Sequence, residues 1–171
     1  AKRCSANPAW DLPMVAGPIA LAYNLPGVDS LVLTPDVAAK ILLGKIKAWN
    51  DKDIAAVNPG TKLPSSEIRV FFRSDESGTT ENLAKYFNAT APKEWTAEPS
   101  KAWPGTSGEG REKSSGVSEG VKSTEGGVTY VEWSFARDNS LSVAKIDNGG
   151  GAVELTAAAA SKAIAVATPD G

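Results

Sequence analysis

Apolar and polar residues alternate through Glu67-Ile68-Arg69-Val70 and end in the pair Phe71-Phe72, the two-residue period of a strand. The period then changes. Leu83, Tyr86 and Phe87 recur at i, i+3 and i+4, the spacing of a helix face. The stretch between them, Arg73-Ser74-Asp75-Glu76-Ser77-Gly78-Thr79-Thr80, is therefore predicted to be a strand-to-helix turn. The helix is expected to run to about Asn88, before Ala91-Pro92.

The remaining elements follow from the same patterns. Residues 1–11 read as a polar lead-in with Trp10 as a packing anchor. The run from Pro13 to Asn24 reads as a buried strand over about 14–23, with a bulge, bend or edge position at Pro18. A turn at Asn24-Leu25-Pro26-Gly27 precedes a short strand, Leu31-Val32-Leu33. Thr34-Pro35-Asp36 opens a helix as N-cap, first residue and first-turn acid; Val37 and Ile41 lie on its buried face and Gly44 ends it. A second short helix is expected from Asp51 to Val57, capped by Asn50. Residues 92–120 read as loop-rich, held down by Trp95 and Trp103, with Gly105 to Arg111 a flexible surface excursion because no strand feeds it. A helix near Ser115–Ser123 has Val117 and Val121 at i, i+4. Val128 to Trp133 alternates as a strand, and Val143 to Ile146 forms a short one. Thr156 caps an Ala-rich helix to about Ala167. Strands alternating with helices predict an α/β layer structure.

Composition narrows the chemistry. The chain has 171 residues and a net charge of −2, so a nucleic-acid partner held by a basic field is not expected. It contains no histidine, which removes the usual general base, Ser-His triads and most zinc or iron sites; neither a metal nor a cofactor is expected. The lone Cys4 has no internal disulfide partner. No apolar run reaches the roughly 18 residues a membrane span needs. Ala1 stands where an initiator Met would, so the chain is expected to be processed or cut from something longer. Trp49, Trp95, Trp103 and Trp133 read as packing residues, since no basic cluster accompanies them.

The 73–80 turn carries the candidate chemistry. Free N–H groups and the positive dipole end of a helix start attract anions, and Gly78 lets a ligand approach the backbone. Arg73 adds a planar, permanently charged donor fork, which Asp75 is placed to hold. The expected ligand is a phosphate-like anion. The same residues also serve a plain helix cap and a surface ion pair, and that alternative stays open here.

Five pieces together resemble the substrate-binding protein of the bacterial ABC phosphate importer. They are Val15 to Gly27, Ile41 to Asp51, Leu63-Pro64, Arg73 to Thr80, and Gly126-Gly127-Val128-Thr129-Tyr130-Val131-Glu132. They stand in the family's order from about Leu12 onward. The resemblance implies one lobe of a type II periplasmic-binding-protein fold, a mixed, mostly parallel sheet flanked by helices. It implies phosphate contacts from Arg73, Ser77, Gly78 and Thr79, with Asp75 as support. Glu76 departs from the family's frequent glycine, and its carboxylate is expected to face solvent.

The family's first lobe has no matching segment. Residues 1–171 are thus expected to be a single second lobe with half an anion site, lacking the acceptor aspartate that distinguishes hydrogen phosphate from sulfate. Affinity and selectivity are expected to be largely lost. The implied partners are inorganic phosphate, the missing first lobe, the importer's membrane permease, and a second copy through the exposed cleft face. The implied location is extracytoplasmic, in the periplasm or at the cell surface, as a secreted protein whose full-length parent is a lipoprotein. No enzymatic activity and no catalytic residue are expected. The alternatives are a phosphate-ester hydrolase with Ser77 or Thr79 as nucleophile, and a non-catalytic secreted domain that binds another oxyanion or uses the turn only as a cap.

Overall fold

The computed structural model describes residues 17–166. Trp10, Cys4 and the start of the expected 14–23 strand lie outside them. The first strand, β1, is Ile19–Asn24. Pro18 stands one residue before it rather than inside. Its carbonyl accepts from the Trp133 amide at 2.9 Å, a role that does not need the N–H proline lacks.

The elements run in order β1, β2 (Val32–Leu33), α1 (Pro35–Leu42), α2 (Lys52–Ala56), β3 (Arg69–Arg73) and α3 (Gly78–Thr90). Then come β4 (Glu109–Arg111), α4 (Lys113–Ser123), β5 (Gly127–Glu132), α5 (Trp133–Asp138), β6 (Ser142–Val143), β7 (Lys145–Asp147), β8 (Ala152–Val153) and α6 (Ala157–Ala165). The main sheet has the order β4-β3-β5-β1-β6, and a smaller one has the order β2-β7-β8. The fold is α/β with a mixed sheet, as expected. In the main sheet β3 is parallel to β4 and β5, while β1 is antiparallel to β5 and β6. Parallel and antiparallel pairings are thus balanced rather than mostly parallel.

Alternation along the strands builds a core on each face of the main sheet. Leu21 and Tyr23 of β1, Val70 of β3, and Val128 and Tyr130 of β5 join one cluster with Val37 and Ile41 of α1 and Leu83 and Phe87 of α3. Ala20, Ala22, Phe71 and Val131 point the other way, onto Val117 and Val121 of α4 and Ala136 of α5. The four tryptophans expected to pack do so. Trp49 and Trp95 are fully buried, and Trp103 and Trp133 pack partly buried against the two clusters.

Several boundaries moved for local reasons. Asp51, not Asn50, caps α2, because its carboxylate reaches the Asp53 amide at 2.9 Å. The expected surface excursion contains β4, paired in parallel with β3 at Phe71↔Glu109 and Arg73↔Arg111. Its residues are exposed, so its place in the sheet rests on backbone pairing and leaves no apolar alternation to read. Trp133 opens helix α5 instead of ending a strand. The expected 143–146 strand divides between the two sheets at Ala144, whose amide donates to Leu21 O at 2.9 Å. Thr34 and Thr156 cap their helices as read from the sequence, and Ser77 caps α3.

Candidate oxyanion-binding site

The three parallel strands β3, β4 and β5 end at Arg73, Arg111 and Glu132. Helices α3 and α4 begin just beyond the first two ends. This is the edge at which open α/β sheets receive ligands. Two helix N-termini are brought together there, each carrying the positive end of a backbone dipole.

Arg73 is held rather than left to wander. Its Nε and Nη2 donate to the two carboxylate oxygens of Asp75 at 2.7 and 2.6 Å, a fork-to-fork pair. Nη1 donates to Ser114 Oγ at 3.1 Å. A guanidinium has five N–H groups; these contacts use three, leaving two for a ligand. The Asp75 carboxylate raises the guanidinium's pKa further, so Arg73 stays charged. In return Arg73 holds the Asp75 carboxyl well below its ordinary range, with help from the Lys113 amide, which donates to Oδ1 at 3.0 Å.

That amide explains a backbone oddity. Lys113 adopts φ 60°, a left-handed conformation uncommon outside glycine. Its bond to Asp75 ties the start of α4 to the turn before α3. A pH dependence follows. The depressed folded pKa of Asp75 makes its stabilisation complete above its unfolded value near 4 and lost as pH falls below it. Thermal unfolding of the wild type and Asp75→Asn should therefore differ most at neutral pH, and the gap should narrow progressively as pH falls below about 4. A gap that stays constant down to acid pH would show that the pair contributes no such stability.

Ser77 is buried, and its Oγ accepts from the amides of Thr79 and Thr80 at 3.1 and 3.4 Å. Its own amide donates to Lys101 O at 3.0 Å, so the loop before β4 is stitched to the start of α3. Gly78 is exposed, and a Cβ there would meet nothing within 4 Å, so its backbone is open to approach. Thr79 is partly buried, and its hydroxyl donates to Glu132 Oε1 at 2.5 Å. Glu76 is exposed, as expected.

Two residues escaped the sequence reading. Ser114, the second residue of α4, accepts from Arg73 and donates to Glu132 Oε2 at 2.5 Å. Glu132 thus receives a hydroxyl from the first turn of each helix. Burial pushes its carboxyl pKa up, but the Ser114 and Thr79 hydroxyls and the nearby Arg73 outweigh that and hold it below its usual range. Neither had a signal in the sequence, since the pairing that sets β5 alongside β3 joins distant segments.

Tyr130 anchors the site to the core. Its oxygen accepts from the Arg73 amide at 3.2 Å and bonds Thr80 Oγ1 at 2.7 Å. Its ring stacks on Trp103 at 5.3 Å, and Trp103 stacks in turn on Phe72 at 5.4 Å. Tyr130→Phe would leave the buried Thr80 hydroxyl and the partly buried Arg73 amide short of a partner. The expected cost is about 1–3 kcal/mol, with a small further loss of anion affinity; denaturant unfolding checks the first. An unchanged midpoint would mean that the pair is dispensable.

A family model described as the PBP superfamily domain matches residues 1–170. The chain belongs to the PBP superfamily. Among curated members, it is 48% identical over 145 residues to phosphate-binding protein PstS 3 of Mycobacterium leprae, covering 85% of this chain and 39% of that protein. It is 43% identical over 167 residues to phosphate-binding protein PstS 2 of Mycobacterium tuberculosis, covering 96% and 45%. The chain thus spans less than half the length of these relatives. Its fold matches that of a high affinity periplasmic phosphate-binding protein (PfluDING) solved with phosphate bound, at a TM-score of 0.71 and 21% identity over 89% of this chain and 44% of that one.

Proposed function

We propose that this PBP-superfamily chain binds inorganic phosphate through half of an anion site, as one lobe of a substrate-binding protein that serves an ABC importer. The supporting observation is Arg73, clamped by Asp75 with two N–H groups to spare, between two helix N-termini. Gly78 and Ser77 add an open backbone and a capping hydroxyl at one of those termini. The relatives' names supply the ligand.

Residues 17–166 form one layered unit built around a single main sheet, which supports reading residues 1–171 as one lobe. The remaining donors then come from a first lobe outside this chain. The permease of the importer, an extracytoplasmic location and a lipid-anchored parent belong to the same proposal, as does binding without catalysis. Of the two nucleophiles of the hydrolase alternative, Ser77 accepts from two amides through its Oγ, and Thr79 donates its hydroxyl to the Glu132 carboxylate. Calorimetric titration of the 171-residue chain with phosphate and sulfate tests the reading. Binding that depends on Arg73 supports it; phosphate-ester turnover lost in Ser77→Ala would replace it.

A further inference from the structure

Resting on that reading, we infer that Glu132 is a resident anion of the site, one that an incoming oxyanion must displace and that sets the site's preference for low ligand charge. Both Glu132 oxygens are engaged by hydroxyls from the first turns of α3 and α4, beside Arg73. Thr79 Oγ1 and Ser114 Oγ each donate at 2.5 Å, and each belongs to the second residue of a helix. A hydroxyl has one proton. While Thr79 and Ser114 donate to Glu132 they have none for phosphate, so ligand binding and the Glu132 contacts exclude each other at these two atoms.

The charge balance points the same way. Arg73 is shared between Asp75 and, through Ser114, Glu132. One cation already faces two carboxylates before any ligand arrives. Lys113 contributes its amide to Asp75, and among the described residues its ammonium forms no ion pair with Asp75 or Glu132. An added dianion meets the full repulsion of Glu132, while a monoanion meets about half of it. Neutralising Glu132 should therefore favour sulfate more than phosphate, part of which is monoanionic near neutral pH. The arrangement also accounts for a strand-end carboxylate kept ionised in a site that otherwise attracts anions. It engages one hydroxyl from the first turn of each helix.

Glu132→Gln tests the inference, because it keeps the shape while removing the charge; its amide oxygen can accept from one of the two hydroxyls, and its NH2 donates to the other. In calorimetric titrations of the 171-residue chain at neutral pH and low ionic strength, the variant should bind sulfate at least about tenfold more tightly than the wild type, with a smaller gain for phosphate. Binding by the variant but not the wild type supports the inference equally. Unchanged or weaker binding of both anions overturns it and leaves the phosphate reading in place. Binding of neither anion to either protein overturns both. A second measurement needs no variant. The carboxyl carbon resonance of Glu132 should move on titration of the wild type with phosphate, as its two hydroxyl donors are withdrawn. A fixed resonance while the Arg73 side-chain signals shift would show that the ligand binds without displacing it.

Discussion

Arg73→Ala is expected to remove phosphate and sulfate binding from the chain, by about a hundredfold or more. The two N–H groups left by Asp75 and Ser114 would make charge-assisted bonds, each worth about 1.5–3 kcal/mol. Losing both corresponds to roughly two to four powers of ten. The variant also leaves Asp75 without its cation and Ser114 without its donor, so some stability goes with the affinity. Arg73→Lys separates charge from geometry. A lysine keeps the positive charge, but a single ammonium cannot grip Asp75 in a fork and still present two donors outward. It should recover a small part of the affinity. Titration with both anions, beside unfolding of each variant, reads the result. Anion binding that survives in Arg73→Ala would move the site elsewhere, and the turn would then be a helix cap.

Trp49→Ala is the substitution expected to cost the most stability. Trp49 has no exposed surface, and its ring lies 6.2 Å from Tyr23. Its Nε1 donates to Gly126 O at 3.1 Å. Gly126 is the hinge of the turn into β5. It sits at φ +80°, and a Cβ there would fall 2.4 Å from the Glu67 carbonyl. Its carbonyl also accepts from the Arg69 amide at 3.0 Å, so Trp49 braces the point where β3 and β5 begin their pairing. Large-to-alanine truncations of buried aromatics cost about 3–5 kcal/mol. For a chain of this size the melting temperature should drop by about 10 °C or more. Trp49→Phe should lose distinctly less, because it keeps most of the volume. Equal losses in the two variants would put the weight on the indole N–H rather than on packing.

Much of the site was legible because its parts are local. Arg73 and Asp75 are two residues apart, and Ser77 caps the helix that Gly78 begins. A change of period from two to helical spacing between Phe72 and Leu83 located the turn without any tertiary information. Ser114 and Glu132 were missed as functional groups because their partners are distant. Glu132 lies 53 residues from Thr79, and Ser114 lies 41 from Arg73. Serine at a helix start and glutamate at a strand end are ordinary in isolation. Their meaning comes from the parallel pairing of β3 with β4 and β5, which brings the three strand ends together.

The fold divides in the same way. Apolar runs, apolar period and capping located the strands β1, β3 and β5, the helices α1, α3 and α4, and the turn that carries Arg73, because these signals act within a few residues. Tertiary structure decided what no short window contains. It placed the polar Glu109–Arg111 as an edge strand through backbone bonds alone, and it split 142–147 between two sheets at one amide. It also set Glu132 against the hydroxyls of two helices. Hydrogen bonds between distant segments depend on how the chain is folded back on itself, and sequence spacing carries no record of that.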